Sequence, residues 1–267
     1  MAGYVALALA YVMSQFFRAF LAVLTPVLTS ELAMTKVQLG MASGMFFLTF
    51  AAAQFVIGPM LDKRGARFTT GLIFPLFAGA GALMFANATA GWMVIAAMGL
   101  IGIGCAPVLM ASYFLFARHG SAANYALFTT TLVGVGTLGN VAGTAPLAAA
   151  ISAFGWRPVV LALGALAVAI GILVIVLVRK HVPANHAPDA KPASYRALVM
   201  DRSLWPLFPL MIISYIPAAS IRGLWAGPFL TETFGADARQ IGNVTFFIAL
   251  AMSMSAFAYG PFEKLVG

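Results

Sequence analysis

GPMLDKRGAR, residues 58–67, is a short charged stretch set between two long apolar runs, 37–61 and 67–86. Gly58 permits close approach of a neighbouring helix, and Pro59 has no amide hydrogen to donate. Asp62 is suited to accept hydrogen bonds from a nearby helix end, while Lys63 and Arg67 stay at the aqueous surface. An apolar run that stops in such a decapeptide and then resumes reads as a chain that reaches a membrane surface, turns and goes back.

The rest of the sequence agrees. Hydrophobic residues make up 62% of the chain and charged residues only 8%, against about 25% charged in a soluble domain. Mean hydropathy is +0.98. A bilayer core about 30 Å thick needs about 20 apolar residues per helix, and eight stretches meet that measure: 4–28, 37–61, 67–86, 91–116, 123–151, 157–178, 205–230 and 239–262. The first lacks a cleavage region and carries Arg18, so it reads as a retained span. The net charge of +8 punctuates the apolar runs instead of clustering on a polar domain, which argues against a nucleic-acid partner. The expected surroundings are the lipid bilayer. Cys105 is the only cysteine, so no intrachain disulfide forms, and no spaced set of metal ligands or Ser/His/Asp constellation is present. The chain reads as a non-enzyme with no catalytic residues, metal or cofactor.

Basic residues set the orientation. Lys63, Arg64, Arg67, Arg118, Arg179, Lys180, Lys191, Arg196, Arg202 and Lys264 fall on one side of the eight spans, and Lys36, Arg157 and Arg239 on the other. The positive-inside bias puts the N-terminus and the 179–204 segment in the cytoplasm of a multi-pass inner-membrane protein. Residues 179–204, RKHVPANHAPDAKPASYRALVMDR in large part, are the one long polar interruption and read as a flexible linker. His181 and His186 lie there without the neighbours a metal site needs.

The sequence also repeats. An offset of 202 residues lays Gln38 on Gln240, Gly40 on Gly242, Phe55 on Phe257, Gly58-Pro59 on Gly260-Pro261 and Gly65 on Gly267. Upstream, PVLTSEL at 26–32 resembles PFLTETF at 228–234, and a two-residue gap brings Arg18 over Arg222. Internal repeats are a construction principle of secondary transporters. Six spans precede the linker and two follow it, so equal halves would require four more; a chain that has eight spans by design is the competing expectation.

At this point a family is recognisable. The sequence resembles the major facilitator superfamily, whose loop between the second and third helices follows Gly-x-x-x-Asp-Arg/Lys-x-Gly-x-Arg/Lys; Gly58, Asp62, Lys63, Gly65 and Arg67 match it position by position. The resemblance implies an all-α polytopic fold with a six-helix N-terminal bundle at 1–178, the linker at 179–204 and the first two helices of a second bundle at 205–267. It implies that the 58–67 loop is a conformation-sensitive latch and not the solute site. The second-half counterpart, GPFEKLVG, matches less well, since Glu263 is one position early and Val266 replaces a basic residue.

Two arginines carry the functional expectation. Arg18 and Arg222 lie within apolar spans, where a guanidinium costs about 2.5 to 3.5 kcal/mol on insertion scales and faces protein or water. All seven acids lie in or near loops. A small anion entering a cavity is therefore a natural counterpart. Ser14 and Arg18 are one turn apart, with Gln15 offset and Tyr11 on the polar side; Tyr215 aligns with Arg222 seven residues on, in a span loosened by Pro217 and Pro228. Gly102 and Gly104, and Gly139 and Gly143, read as helix-packing faces. Met98 stands where members of the resembling family often carry an arginine. The expected function is movement of a small solute, an organic anion by the chemistry of Arg18, through alternating access. The alternative is a non-transporting receptor, assembly or accessory protein built on a transporter fold. Sequence does not fix the oligomeric state.

Overall fold

The computed structural model describes residues 2–119, 122–179, 200–207, 209, 210, 213 and 220–266; within these, side chains are described except at 118, 119, 122–127, 222, 223 and 256–266. Every regular element among them is helical: α1 (Ala2–Leu32), α2 (Lys36–Ile73), α3 (Gly79–Ala86), α4 (Gly91–His119), α5 (Ala122–Ala142), α6 (Ala145–Phe154), α7 (Trp156–Leu177), α8 (Ala226–Phe234) and α9 (Ala238–Val266). Two π-helical turns, Phe74–Ala78 and Ile221–Trp225, lead into α3 and α8.

Among the described residues, five helical runs are long and apolar enough to cross a membrane. One of them, Lys36–Ala86, has 51 residues. A straight helix of that length would measure about 76 Å at 1.5 Å per residue, far beyond a core of about 30 Å. The run is broken at Gly65, where φ is 75° and ψ is 171°. Only glycine adopts this conformation readily, so Gly65 supplies the reversal and the run crosses twice. The polar turn read over 58–67 thus narrows to one residue, with helical structure on either side. The expected span 123–151 is also interrupted, at Gly143-Thr144, where α5 gives way to α6 with Pro146 in its first turn.

In a bilayer the outside is as apolar as the inside, so helices sort by packing and not by hydropathy. The most apolar crossing, Trp156–Leu177, has a mean hydropathy of 3.1 and only 33% of its apolar window buried, whereas α1, at 1.7, is 78% buried. Leu161, Leu166, Ile172 and Val176 of α7 face outward, towards lipid. Helix α1 is the inner post and packs on α5, α7, α4 and α8; α2 lies along α4, and α9 runs beside α5 and α6.

The corner between α1 and α2 recurs between α8 and α9, in the register of the sequence repeat. Ala33 and Gly235 both have positive φ, 49° and 65°. The next amides, Met34 and Ala236, reach back to the carbonyls of Leu28 and Leu230 at 3.3 and 3.2 Å. Reciprocal caps follow: the Thr35 amide donates to Gln38 Oε1 (3.0 Å) and the Gln38 amide to Thr35 Oγ1 (3.2 Å), while the Asp237 amide donates to Gln240 Oε1 (2.9 Å) and the Gln240 amide to Asp237 Oδ1 (2.7 Å). Each satisfies two otherwise unpaired donors at a helix start.

Candidate functional site

Arg18 lies midway along α1, with its guanidinium carbon 4.6 Å from the centre of the Phe50 ring of α2. The negative ring face attracts the cation. One turn and two turns before it, Ser14 and Tyr11 are buried, as is Gln15. Gln15 Nε2 donates to the Tyr11 hydroxyl at 2.9 Å. Across from them on α4, the buried Cys105 thiol lies near Ser14 and Arg18. The structure therefore groups Tyr11, Ser14, Gln15 and Arg18 on the inner post and adds Phe50 and Cys105 from α2 and α4. Arg222 lies in the π-helical turn Ile221–Trp225, with its side chain outside the described part, and Tyr215 lies outside the described residues.

Small residues bring the walls together. A Cβ added at Gly139 would strike the carbonyl of Val12, and one at Gly143 would sit 3.2 Å from the carbonyl of Phe16, so α5 rests on the backbone of α1. On α4, Gly102 faces the Phe46 carbonyl of α2, and a Cβ at Gly104 would be 2.5 Å from the Ala78 amide nitrogen. Gln54 Nε2 of α2 donates to the Ala106 carbonyl of α4 at 3.1 Å, and Thr49 Oγ1 to that of Gly99 at 2.8 Å. These bonds tie α2 to α4 without an ionised group.

In the 58–67 turn, Asp62 and Lys63 are exposed, Gly58 and Arg67 are half-buried and Gly65 is buried. Arg64 lies over the Phe68 ring at 5.0 Å.

At the opposite ends of the helices, three charged contacts escaped sequence reasoning. Trp156 Nε1 donates to Glu31 Oε2 at 2.8 Å, and Arg157 donates to the carbonyls of Ala86 and Ala88 at 3.0 and 2.8 Å. Arg157 thus satisfies carbonyls at the end of α3, where the helix dipole favours a cation. Lys36 Nζ meets Glu232 Oε1 at 2.6 Å, linking the start of α2 to α8. Glu232 stands one turn before the repeated corner at Gly235, a signal the repeat carried in PFLTETF.

Apolar helical crossings, a glycine-reversed double span and a buried inner post define an all-helical multi-pass membrane protein. The profile of the Major Facilitator Superfamily matches residues 7–267, and the chain belongs to that family. It is also similar to the membrane sensor protein UhpC of Salmonella typhimurium, at 24% identity over 260 residues, covering 86% of this chain and 56% of that protein. The chain spans about half the length of that curated relative.

Proposed function

We propose that this chain forms the solute pathway of a secondary transporter that moves a small organic anion by alternating access. The observation that carries this reading is Arg18, a guanidinium at mid-depth of the most buried crossing, set against Phe50 and beside Ser14 and Gln15. A fixed positive charge there raises the local concentration of anions and orients them. Arg18 supplies the attraction, and Tyr11, Ser14 and Gln15 supply hydrogen-bonding groups; Tyr215 and Arg222 belong to the facing wall. In this reading residues 1–178 form one bundle, 205–267 the start of a second, and 179–204 joins them on the cytoplasmic side of the inner membrane, where the N-terminus also lies. Gly58, Asp62, Lys63, Gly65 and Arg67 act as the latch between helix ends, while Gly102, Gly104, Gly139 and Gly143 let the helices slide at close range.

The name of the UhpC relative supports a second reading, in which the same site senses a small solute without moving it. Flux into proteoliposomes containing the full-length protein, driven by imposed pH or counter-anion gradients, separates the two. Gradient-driven uptake of organic anions over neutral solutes of equal size supports transport. Saturable binding without flux supports sensing, and absence of any anion preference overturns the anionic reading of Arg18.

A further inference from the structure

The ion pair between Lys36 and Glu232 joins two corners that the repeat has built alike. Lys36 opens α2 just after the Ala33 corner, and Glu232 closes α8 just before the Gly235 corner. Beside the pair α8 touches α1: a Cβ at Gly227 would lie 2.8 Å from the Ala22 carbonyl of α1. Further along the same face, Gly242 of α9 lies against Ala145 and Ala148 of α6, where a Cβ would sit 3.3 Å from the Ala145 Cα. The seam is closed at this face, and Ala22 is only 1% exposed. Among the described residues, this is the one ion pair between the helices before residue 179 and those after residue 205.

The repeat does not supply a mate for it. At the offset of 202, Ser30 stands for Glu232 and Ala238 for Lys36, so the equivalent pair has no charges. Glu31, the acid nearest to that place, bonds Trp156 on the same side of the seam. Exposure decides what a single bridge does here. Its side chains are 62% and 53% exposed, and pairs so hydrated shift an equilibrium by only about 1.4- to fivefold. That is too weak to lock two halves of a protein and sufficient to bias a seam that opens and closes.

We propose that Lys36–Glu232 is a strap across the Ala22–Gly227 seam, made when this face of the pathway is closed and broken when it opens. The proposal rests on the alternating-access reading, yet its test reads seam opening alone and needs neither a solute nor transport. The full-length protein would carry Ala22→Cys as the reporter and Cys105→Ala to remove the native thiol. Labelling by a membrane-impermeant maleimide would then be timed from the face that bears Lys36.

The expected result is a rise of about 1.4- to fivefold in labelling rate with Lys36→Gln or Glu232→Gln. A larger rise is expected with Glu232→Lys, which faces like charges across the seam. The double exchange Lys36→Glu with Glu232→Lys should return the rate towards the starting value. Added salt should speed labelling in the protein with the native pair and not in Lys36→Gln, because an exposed pair is screened. Rates unchanged in both glutamine variants overturn the proposal. A double exchange that labels as fast as Glu232→Lys alone, in protein that remains monodisperse, overturns it as well. A failure here with anion-selective flux intact removes the strap and leaves the transport reading standing.

Discussion

The indole nitrogen of Trp156 donates to the carboxylate of Glu31 at 2.8 Å, tying the end of α1 to the start of α7 across 125 residues of sequence. Trp156 is only 3% exposed and also meets Phe85 edge-on, with ring centres 6.1 Å apart. Arg157 approaches the same carboxylate only to 4.0 Å. That half-exposed pair adds little, so the indole bond is the main term. Glu31→Ala leaves a buried donor without its acceptor and should lower stability by about 1 to 3 kcal/mol. Glu31→Gln keeps an acceptor and should lose less. Thermal unfolding in detergent checks both, and equal losses would place the effect in the charge.

The paired corners make a prediction about one methyl group. Ala33 holds φ at 49°, while its repeat counterpart, at 65°, is Gly235. An L side chain pays about 1 to 2 kcal/mol to sit in this region, and glycine returns part of that through its freer unfolded chain. Ala33→Gly should therefore raise the melting temperature, and Gly235→Ala should lower it. A fall on Ala33→Gly would show that the corner is not limited by its backbone.

Two glycines should respond in opposite directions to the same substitution. Gly139→Ala drives a methyl group into the Val12 carbonyl and forces α5 off α1, at about 1 to 3 kcal/mol. Around Gly44, in α2, a Cβ meets nothing within 4 Å. Gly44→Ala should be neutral or stabilise by up to about 1 kcal/mol through helix propensity. Unfolding of the two variants side by side reads the difference, and a like response would refute the close packing of α5 on α1.

Much of the fold was legible because its signals are local. Gly65 announces the reversal through its neighbours in GPMLDKRGAR, and the pairing of Gln38 with Gln240 extends in the structure to two caps and two positive-φ residues. The stripe of Tyr11, Ser14 and Arg18 follows from helical spacing alone. Phe50 and Cys105 did not follow from it. Phe50 is one of 22 phenylalanines, and its place beside Arg18 is set by α2 lying along α4, which in turn packs on α1, a relation between helices that no periodicity encodes. Glu31 with Trp156, and Lys36 with Glu232, are equally long-range. Lys36 showed in the sequence only as a basic residue on the sparsely charged side.

Asp201 offers a pH test outside the spans. The Ser203 hydroxyl (2.7 Å) and amide (3.0 Å) both donate to its Oδ1 and hold its carboxyl below the usual carboxylate range. The cap's contribution is present above the ordinary carboxylate pKa and is lost as pH falls through the lowered value. Ser203→Ala should move the Asp201 titration, followed by NMR, back upwards; no movement would show that the hydroxyl is not the cause.

The ring of Phe50 should matter through Arg18. Phe50→Leu removes a cation–π contact of about 0.5 to 2 kcal/mol. Anion affinity should fall, while Phe50→Tyr, which keeps the ring face, should retain it. Equilibrium binding on the two variants distinguishes this from a simple loss of packing, which would lower affinity in proportion to stability.

The most direct test of the central claim is calorimetric binding of small organic anions, and of neutral solutes matched in size, to the full-length protein and to Arg18→Gln. The account predicts that the substitution weakens anions by about tenfold or more, as expected for the loss of a charge-assisted contact, leaves neutral solutes unaffected, and is partly rescued by Arg18→Lys. Anion affinity unchanged in Arg18→Gln, in protein that melts as the parent does, would contradict it.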